Sequence, residues 1–339
     1  MLILYMSNKD TIKNKKDDYP YYYKQYKFNI QNIAAILNKF EKNELLLITK
    51  SLNKIETTLK IPILNLRDVN KYNNNYIIIV ENWLRHYELN KLTDVFTEPI
   101  RVKCKFKNNI SAFEFWNIHK LKIRKESKLI YGNENMISLQ ETIYKHIHLC
   151  NNFKISVCLT ILKFFNAKKW LDISCGWGDR LISAILYGVD EYYSTDPNLD
   201  LHPYYDKIIN KLAGKNNNNF IINKSGFEMM TPLKEHYDIV FSSPPFFDIE
   251  IYSKSKDDSY LNYNNEDEWI DRFFIPSLLI ASDSLMYNGH IILYMGGSKK
   301  VMDVMHNTLT NILRLKYEGI IYFYSGILRK MYVWKKILL

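Results

Sequence analysis

The strongest constraint on this 339-residue chain is an alternation confined to its second half, where apolar runs of strand length are separated by stretches with apolar residues at helical spacing. Ser156–Phe165 reads as an apolar helix and Lys169–Ile173 as a buried strand. After a turn at Cys175-Gly176-Trp177-Gly178, a helix carries Leu181, Ile182, Ile185 and Leu186 on one face, with Gly188 as its C-cap. A strand ending at Asp196, a helix over 203–213, and strands Phe220–Asn223 and Asp238–Ser242 follow. The next helix, 266–287, has Ile270, Phe274, Leu278, Ala281 and Leu285 on one stripe and is expected to stop at Asn288-Gly289. Strand His290–Tyr294, a helix over 299–313, and two strands, Gly319–Tyr324 and Lys330–Lys336, close the chain. Repeated βα units predict a parallel, doubly wound α/β sheet, here finished by an antiparallel hairpin.

The first half is less regular. Residues 1–25 read as a flexible polar arm, and 26–148 as a basic N-terminal domain of mixed α/β type ahead of a domain spanning 149–339. Apolar residues at helical spacing (Ile33, Ile36, Leu37, Phe40, then Leu45 to Ile48) suggest helix, and NYIIIV at 75–80 suggests a strand. Lys, Asn, Ile and Tyr are abundant, as AT-rich codons would make them, so total charge says little. Its distribution says more. Residues 1–150 hold 25 Lys and Arg against 15 Asp and Glu, whereas 151–339 hold 21 of each. From Arg101 to Lys125 eight cations face the single acid Glu114, and Lys103, Lys105 and Lys107 alternate in RVKCKFK as on one face of a strand. Phe106, Phe113, Phe115 and Trp116 lie among them, a combination suited to a polyanion whose bases stack, although lysines on a strand edge also discourage aggregation.

Three motifs fall at expected strand C-termini, where open α/β sheets bind ligands. The first, Asp172-Ile-Ser174-Cys-Gly176-Trp-Gly178, lets backbone approach a ligand at a helix start. Leu181 stands where a dinucleotide fold has its third glycine, which disfavours pyrophosphate. Asp196 at the next strand end can accept ribose hydroxyls or simply cap a helix. Ser242-Ser243-Pro244-Pro245-Phe246-Phe247 cannot continue a central strand, because proline lacks a ladder donor, and makes a rigid turn.

Glycine loop, acid and S-P-P-F in this order resemble class I S-adenosylmethionine-dependent methyltransferases, and among them the nucleic-acid base amino-methyltransferases with a [D/N/S]-P-P-[Y/F/W] motif. The string GWGDRL…TDPN…SPPFFDIEIY is similar to DNA methyltransferases of phages and large DNA viruses. The resemblance covers about 150–336 and implies a seven-stranded Rossmann-like methyltransferase sheet. It implies S-adenosylmethionine (SAM) as cofactor, with Asp172, Ser174, Gly176 and Gly178 at its methionine end, Asp196 at the ribose, Phe227 or Glu228 at the adenine, and Phe153 in an amino-terminal cofactor motif. Ser243, Pro244, Pro245 and Phe246 would be catalytic: Ser243 Oγ and the Pro244 carbonyl accepting N–H bonds from a base amine, Phe246 stacking on the extruded base. Phe247, Asp248 and Tyr252 would touch the target base, with Lys103, Lys105 and Lys107 on the nucleic-acid backbone. Asp179 and Arg180 read as an ion pair anchoring the glycine loop, and Ser253–Glu268 as a mobile stretch able to close over substrate.

The expected activity is methylation of cytosine N4 or adenine N6 in DNA. RNA adenine N6 methylation is the rival within the same chemistry, and a catalytically silent SAM-fold subunit the rival outside it. Ring-carbon methylation needs a nucleophilic cysteine, and none of the four cysteines follows the expected proline. No Walker G-x-x-x-x-G-K and no G-x-S-x-G occurs, and His146-x-His148 lacks a third ligand for a metal. No apolar run approaches the ~18 residues of a membrane span, and Met1–Tyr5 is too short for a signal peptide. With no C-x-x-C pair, the cysteines are expected to be reduced and the protein intracellular, in the cytoplasm or at a viral replication site.

Overall fold

A computed structural model describes residues 18–24, 33, 47–51, 75–80, 87–107, 109–252, 259–325 and 327–338. One sheet organises them. Its strands are β1 (Leu47–Ser51), β2 (Asn75–Val80), β4 (Lys169–Asp172), β5 (Glu191–Thr195), β6 (Phe220–Asn223), β7 (Tyr237–Ser242), β9 (Leu285–Tyr294), β10 (Lys316–Ser325) and β11 (Ile327–Lys335), while β3 (Lys105–Phe106) and β8 (Glu250–Ile251) pair separately. The order is β1-β2-β10-β11-β9-β7-β4-β5-β6. The stretch from β6 to β9 is parallel, and β11 runs antiparallel between β9 and β10. Within this order the seven strands from β10 to β6 make the expected doubly wound sheet with an antiparallel C-terminal hairpin, and β1 and β2 extend it to nine. Its order reverses at β4, which lies between β5 and β7 and opens the crevice that such sheets use for ligands.

Strand alternation divides the core. Trp170, Phe241, Ile292 and Val333 face one layer, and Leu171, Val240, Ile291 and Trp334 the other. The first layer is built from α1 (Leu92–Arg101), α4 (Ile155–Phe165), α5 (Asp179–Tyr187) and α6 (His202–Leu212). The second holds a helix that passes from Glu266–Trp269 through a π segment, Ile270–Phe274, into α7 (Ile275–Ser284), beside α8 (Lys299–His306). A third cluster packs Trp116 and Ile123 of α2 (Ala112–Tyr131) against Leu139 and Ile143 of α3 (Met136–His146). Helix α2 begins with a capping box between Ser111 and Glu114 and ends at Gly132 in the left-handed conformation.

Several expectations are corrected. The tyrosines of the supposed arm, Tyr19, Tyr21 and Tyr22, are buried, because they cover the Trp116 cluster while Asp18 accepts from Trp116 Nε1 at 3.0 Å. Residues 1–17 lie outside the described residues, as do Ile36, Leu37 and Phe40; Leu47 and Ile48 are in strand β1, where cross-strand pairing with Ile79 and Ile78 replaces helix. Strands β1 and β2 also join the large sheet, β2 running parallel to β10, so hydrogen bonding crosses the seam expected near 148. The helix expected to reach 287 stops at Ser284, since Lys336 Nζ donates to the carbonyls of Ser282 (3.0 Å) and Leu285 (2.7 Å) and ends it from a distant strand. RVKCKFK is no basic strand face: Arg101 ends α1 with its side chain buried against Asp94, and only Lys105–Phe106 is extended. Cys104 and Cys150 are joined in a disulfide across a Cα separation of 6.2 Å, whereas Cys158 and Cys175 are free and buried. Among the described residues no helix is long and apolar enough to cross a membrane.

Trp116 is fully buried at the centre of the third cluster, so Trp116→Ala should destabilise the protein by about 3–5 kcal/mol. Urea unfolding measures this; an unshifted midpoint would show that the tyrosine segment does not depend on it.

Candidate active site

The crevice at the C-terminal ends of β4, β5 and β7 is a cavity of about 1100 Å³. Its floor is the turn between β4 and α5. Gly176 and Gly178 have φ of +61° and +89°, and a Cβ on Gly178 would stand 2.9 Å from Ile208 Cδ1, so both positions need glycine. Arg180, the second residue of α5, holds the turn from beneath. Its Nε donates to Asp172 Oδ2 at 2.8 Å, and a terminal nitrogen donates to the Ser174 carbonyl. Tyr192 OH donates to the same Asp172 oxygen at 2.7 Å. Ser174 Oγ then donates to the Ser243 carbonyl at 3.0 Å, tying the glycine turn to the diproline corner.

Two carboxylates lie along the next wall. Asp196 accepts from Gly176 N–H (3.0 Å) and Tyr205 OH (2.9 Å) on Oδ2, and from Asn198 N–H (2.9 Å) on Oδ1. Burial raises its pKa to about 6 in spite of these bonds. Protein donors thus take three of roughly four acceptor positions, leaving room for one ribose hydroxyl. Glu228 accepts from Tyr263 OH at 3.1 Å, while its other carboxylate oxygen is buried without a partner. Asp179, the first residue of α5, lines the same cavity with its carboxylate buried 3.7 Å from Arg180; burial pushes it up to about 7 against the pull of Arg180 and of the Phe153 backbone. The anchor expected of an Asp179–Arg180 pair is therefore carried mainly by Asp172.

The opposite wall is aromatic. Phe246 meets Tyr294 edge-on at 5.8 Å, and Tyr294 meets Phe153 and Phe323 at 5.6 and 5.5 Å. Arg329 donates to Tyr294 OH at 2.6 Å. Tyr252 stands against Trp177, whose carbonyl is held by Thr97 Oγ1 of α1 at 2.8 Å. The short β3–β8 ladder comes after the corner, with Lys107 N–H donating to the Ile249 carbonyl at 2.8 Å.

The fold thus brings together Phe153, Ser174, Gly176, Asp196, Phe227, Glu228, Ser243, Pro245, Phe246 and Tyr252 around one cavity. Other expected residues stand off it. Asp172 is fully buried under the turn and acts through Arg180, and Gly178 caps α5 against Ile208. Pro244 is buried behind the corner; Phe247, at φ +44°, turns away to pack on Trp269 at 6.1 Å; Asp248 is exposed outside. Lys103 and Lys107 are exposed, each near a phenylalanine ring, whereas Lys105 bridges Glu114 at 3.0 Å. Residues 253–258 of the supposed closing stretch lie outside the described residues, and beyond them Tyr263 is buried in the cavity wall. Asp179, Tyr263, Tyr294 and Arg329 were not foreseen as ligand contacts. Tyr294 alone carried a signal, its place at the C-terminal end of a parallel strand. No group of three or more metal-ligating side chains is found among the described residues.

No protein-family model and no curated protein sequence matches the chain. Solved structures similar in fold include TrmN from Thermus thermophilus, 13% identical over 55% of this chain and 49% of that one with a TM-score of 0.40. A SAM-dependent O-methyltransferase from Thermotoga maritima is 11% identical, covering 56% and 67% at a TM-score of 0.37. Magnesium protoporphyrin IX methyltransferase from Synechocystis, with bound SAM, is 8% identical, covering 66% and 94% at 0.38.

The buried acids set a pH dependence. Asp179, Asp196 and Glu98, the last also raised to about 7 by burial and by Asp94, bind protons more readily folded than unfolded. Stability should therefore fall as pH rises from about 4 to 7. Asp179→Asn should reduce that fall, read as urea midpoints at pH 5 and 8; equal falls in both proteins would contradict the assignment.

Proposed function

We propose that the chain is a SAM-dependent methyltransferase acting on the exocyclic amine of a base in DNA, N4 of cytosine or N6 of adenine. The observation that carries this reading is the bond from Ser174 to the Ser243 carbonyl, which holds the glycine turn and the diproline corner as facing walls of one cavity. Its volume, about 1100 Å³, is ample for a nucleoside cofactor with a flipped base beside it.

The residues present suit the cofactor. The buried Asp179 carboxylate would meet its cationic amino-acid end, Asp196 one ribose hydroxyl, and the free oxygen of Glu228 its adenine amine, over Phe227. When bound, SAM supplies a methyl carbon made electrophilic by the adjoining sulfonium. The chain's own work is to position the acceptor. A base amine is a weak nucleophile because its lone pair is delocalised into the ring. Ser243 Oγ, half-exposed to the cavity, would accept one amine N–H and turn the lone pair toward the donor, while Phe246 stacks on the base. Buried Pro244 would add its backbone carbonyl from behind the corner. The amine proton leaves to water after transfer, so no strong base is needed.

The basic turn supports a nucleic-acid substrate, since Phe106 of β3 lines the cavity and the neighbouring exposed Lys107 is held to the Ile249 carbonyl just after the corner, a basic surface that Lys103 would extend. RNA would use the same lysines, and nucleoside analysis of the product separates the polymers. A silent subunit would have no use for buried acids facing a formed cavity.

Ser243→Ala and Phe246→Ala should each lower methyl transfer from labelled SAM to DNA at least roughly hundredfold while SAM binding, followed by calorimetry, persists. Undiminished transfer in both would remove the roles given. Reversing charge at Lys103 and Lys107 together should weaken DNA binding and shrink the slope of log affinity against log salt by roughly two. An unaltered slope would place the polymer elsewhere.

A further inference from the structure

We infer that Arg329 and Tyr294 make the base subsite selective for cytosine, an inference that rests on the amino-methyltransferase reading and narrows its substrate. Both side chains line the cavity on the wall that carries Phe246. Tyr294 is the last residue of β9 and pairs with Met331 in the antiparallel β11. Arg329, two residues earlier on β11, therefore projects just past the C-terminal end of β9, on the same strand face as Met331.

Arg329 and Tyr294 supply hydrogen-bond donors to this wall. A guanidinium has five N–H donors and no acceptor. One terminal nitrogen of Arg329 donates to Tyr294 OH at 2.6 Å, which occupies the phenolic oxygen and leaves its proton to be given elsewhere. Arg329 keeps further N–H groups for a ligand. Glu250, the nearby carboxyl on this side, feels the Arg329 charge and accepts from Tyr252 and from the Asn151 backbone, so part of its acceptor capacity is already taken. The wall thus offers adjacent donors beside an aromatic stacking face.

Candidate bases differ in the groups that neighbour the amine along their edge. With its amine at the Ser243 corner, cytosine presents two consecutive acceptors, N3 and O2. Adenine presents one acceptor, N1, and then a C–H that can accept nothing. Guanine places a donor, N1–H, beside its amine, against the donors of the wall. Two donors facing two acceptors select cytosine. A base leaving one buried donor unpaired is disfavoured by roughly tenfold or more.

The test uses the full chain, SAM and amplified unmethylated DNA of mixed sequence, with transcribed RNA in parallel and nucleoside analysis of the products. N4-methylcytosine should exceed N6-methyladenine by at least roughly tenfold. Arg329→Met, which keeps length but removes the donors, and Tyr294→Phe should each cut cytosine methylation by roughly tenfold and lower the cytosine-to-adenine product ratio, with SAM affinity retained. N6-methyladenine as the main product, or a ratio unchanged in both variants, overturns the cytosine assignment and leaves the amino-methyltransferase reading intact. Methylated nucleosides in neither polymer refute that reading and the assignment with it.

Discussion

The site depends on a single buried cation. Arg180 enters the interior from the first turn of α5 and is almost wholly enclosed, a placement that is costly unless every charge-bearing direction finds an acceptor. Asp172 supplies the opposite charge and the Ser174 carbonyl the remaining contact, so the guanidinium fixes the strand end and the loop that leaves it. The fork geometry makes the hold directional as well as strong. From Ser174 the constraint passes to Ser243, and the corner inherits its position from the guanidinium behind the glycine turn. Glycines permit the turn; Arg180 selects one conformation of it.

Much of the second half was legible because its regularity is local. Trp170 and Leu171, adjacent in sequence, point to opposite layers, and that period of two can be read from the chain before any fold is known. The same holds for Gly188, which ends α5 in the left-handed conformation. Where local signals competed, pattern reading failed. In RVKCKFK the cations recur every second residue, yet Arg101 belongs to the helix before them and pairs with Asp94 seven residues back, two turns along the same face. Tyr19 and Tyr21 looked like surface in a tyrosine-rich chain and are interior, because the partner that makes burial favourable, Trp116, is nearly a hundred residues away.

The site shows the same division. Residues placed by backbone geometry at strand ends, such as Gly176, Asp196 and Ser243, could be named from order alone. Those placed by long-range pairing could not. Arg329 reaches the cavity because β11 inserts antiparallel beside β9, and nothing near it in sequence announces that. Asp172 sits at the right strand end but has one oxygen taken by Arg180 and Tyr192 and the other by the Ser174 N–H, which only a structure reveals.

The disulfide between Cys104 and Cys150 has a topological consequence. Its separation of 46 residues encloses both α2 and α3, so the helical hairpin is a covalent ring stapled at the base where it meets the sheet. On the chain-entropy account such a closure removes about 4 kcal/mol of freedom from the denatured ensemble. Thiol reduction would open that ring beside the crevice, which Leu149 and Asn151, on either side of Cys150, help to line.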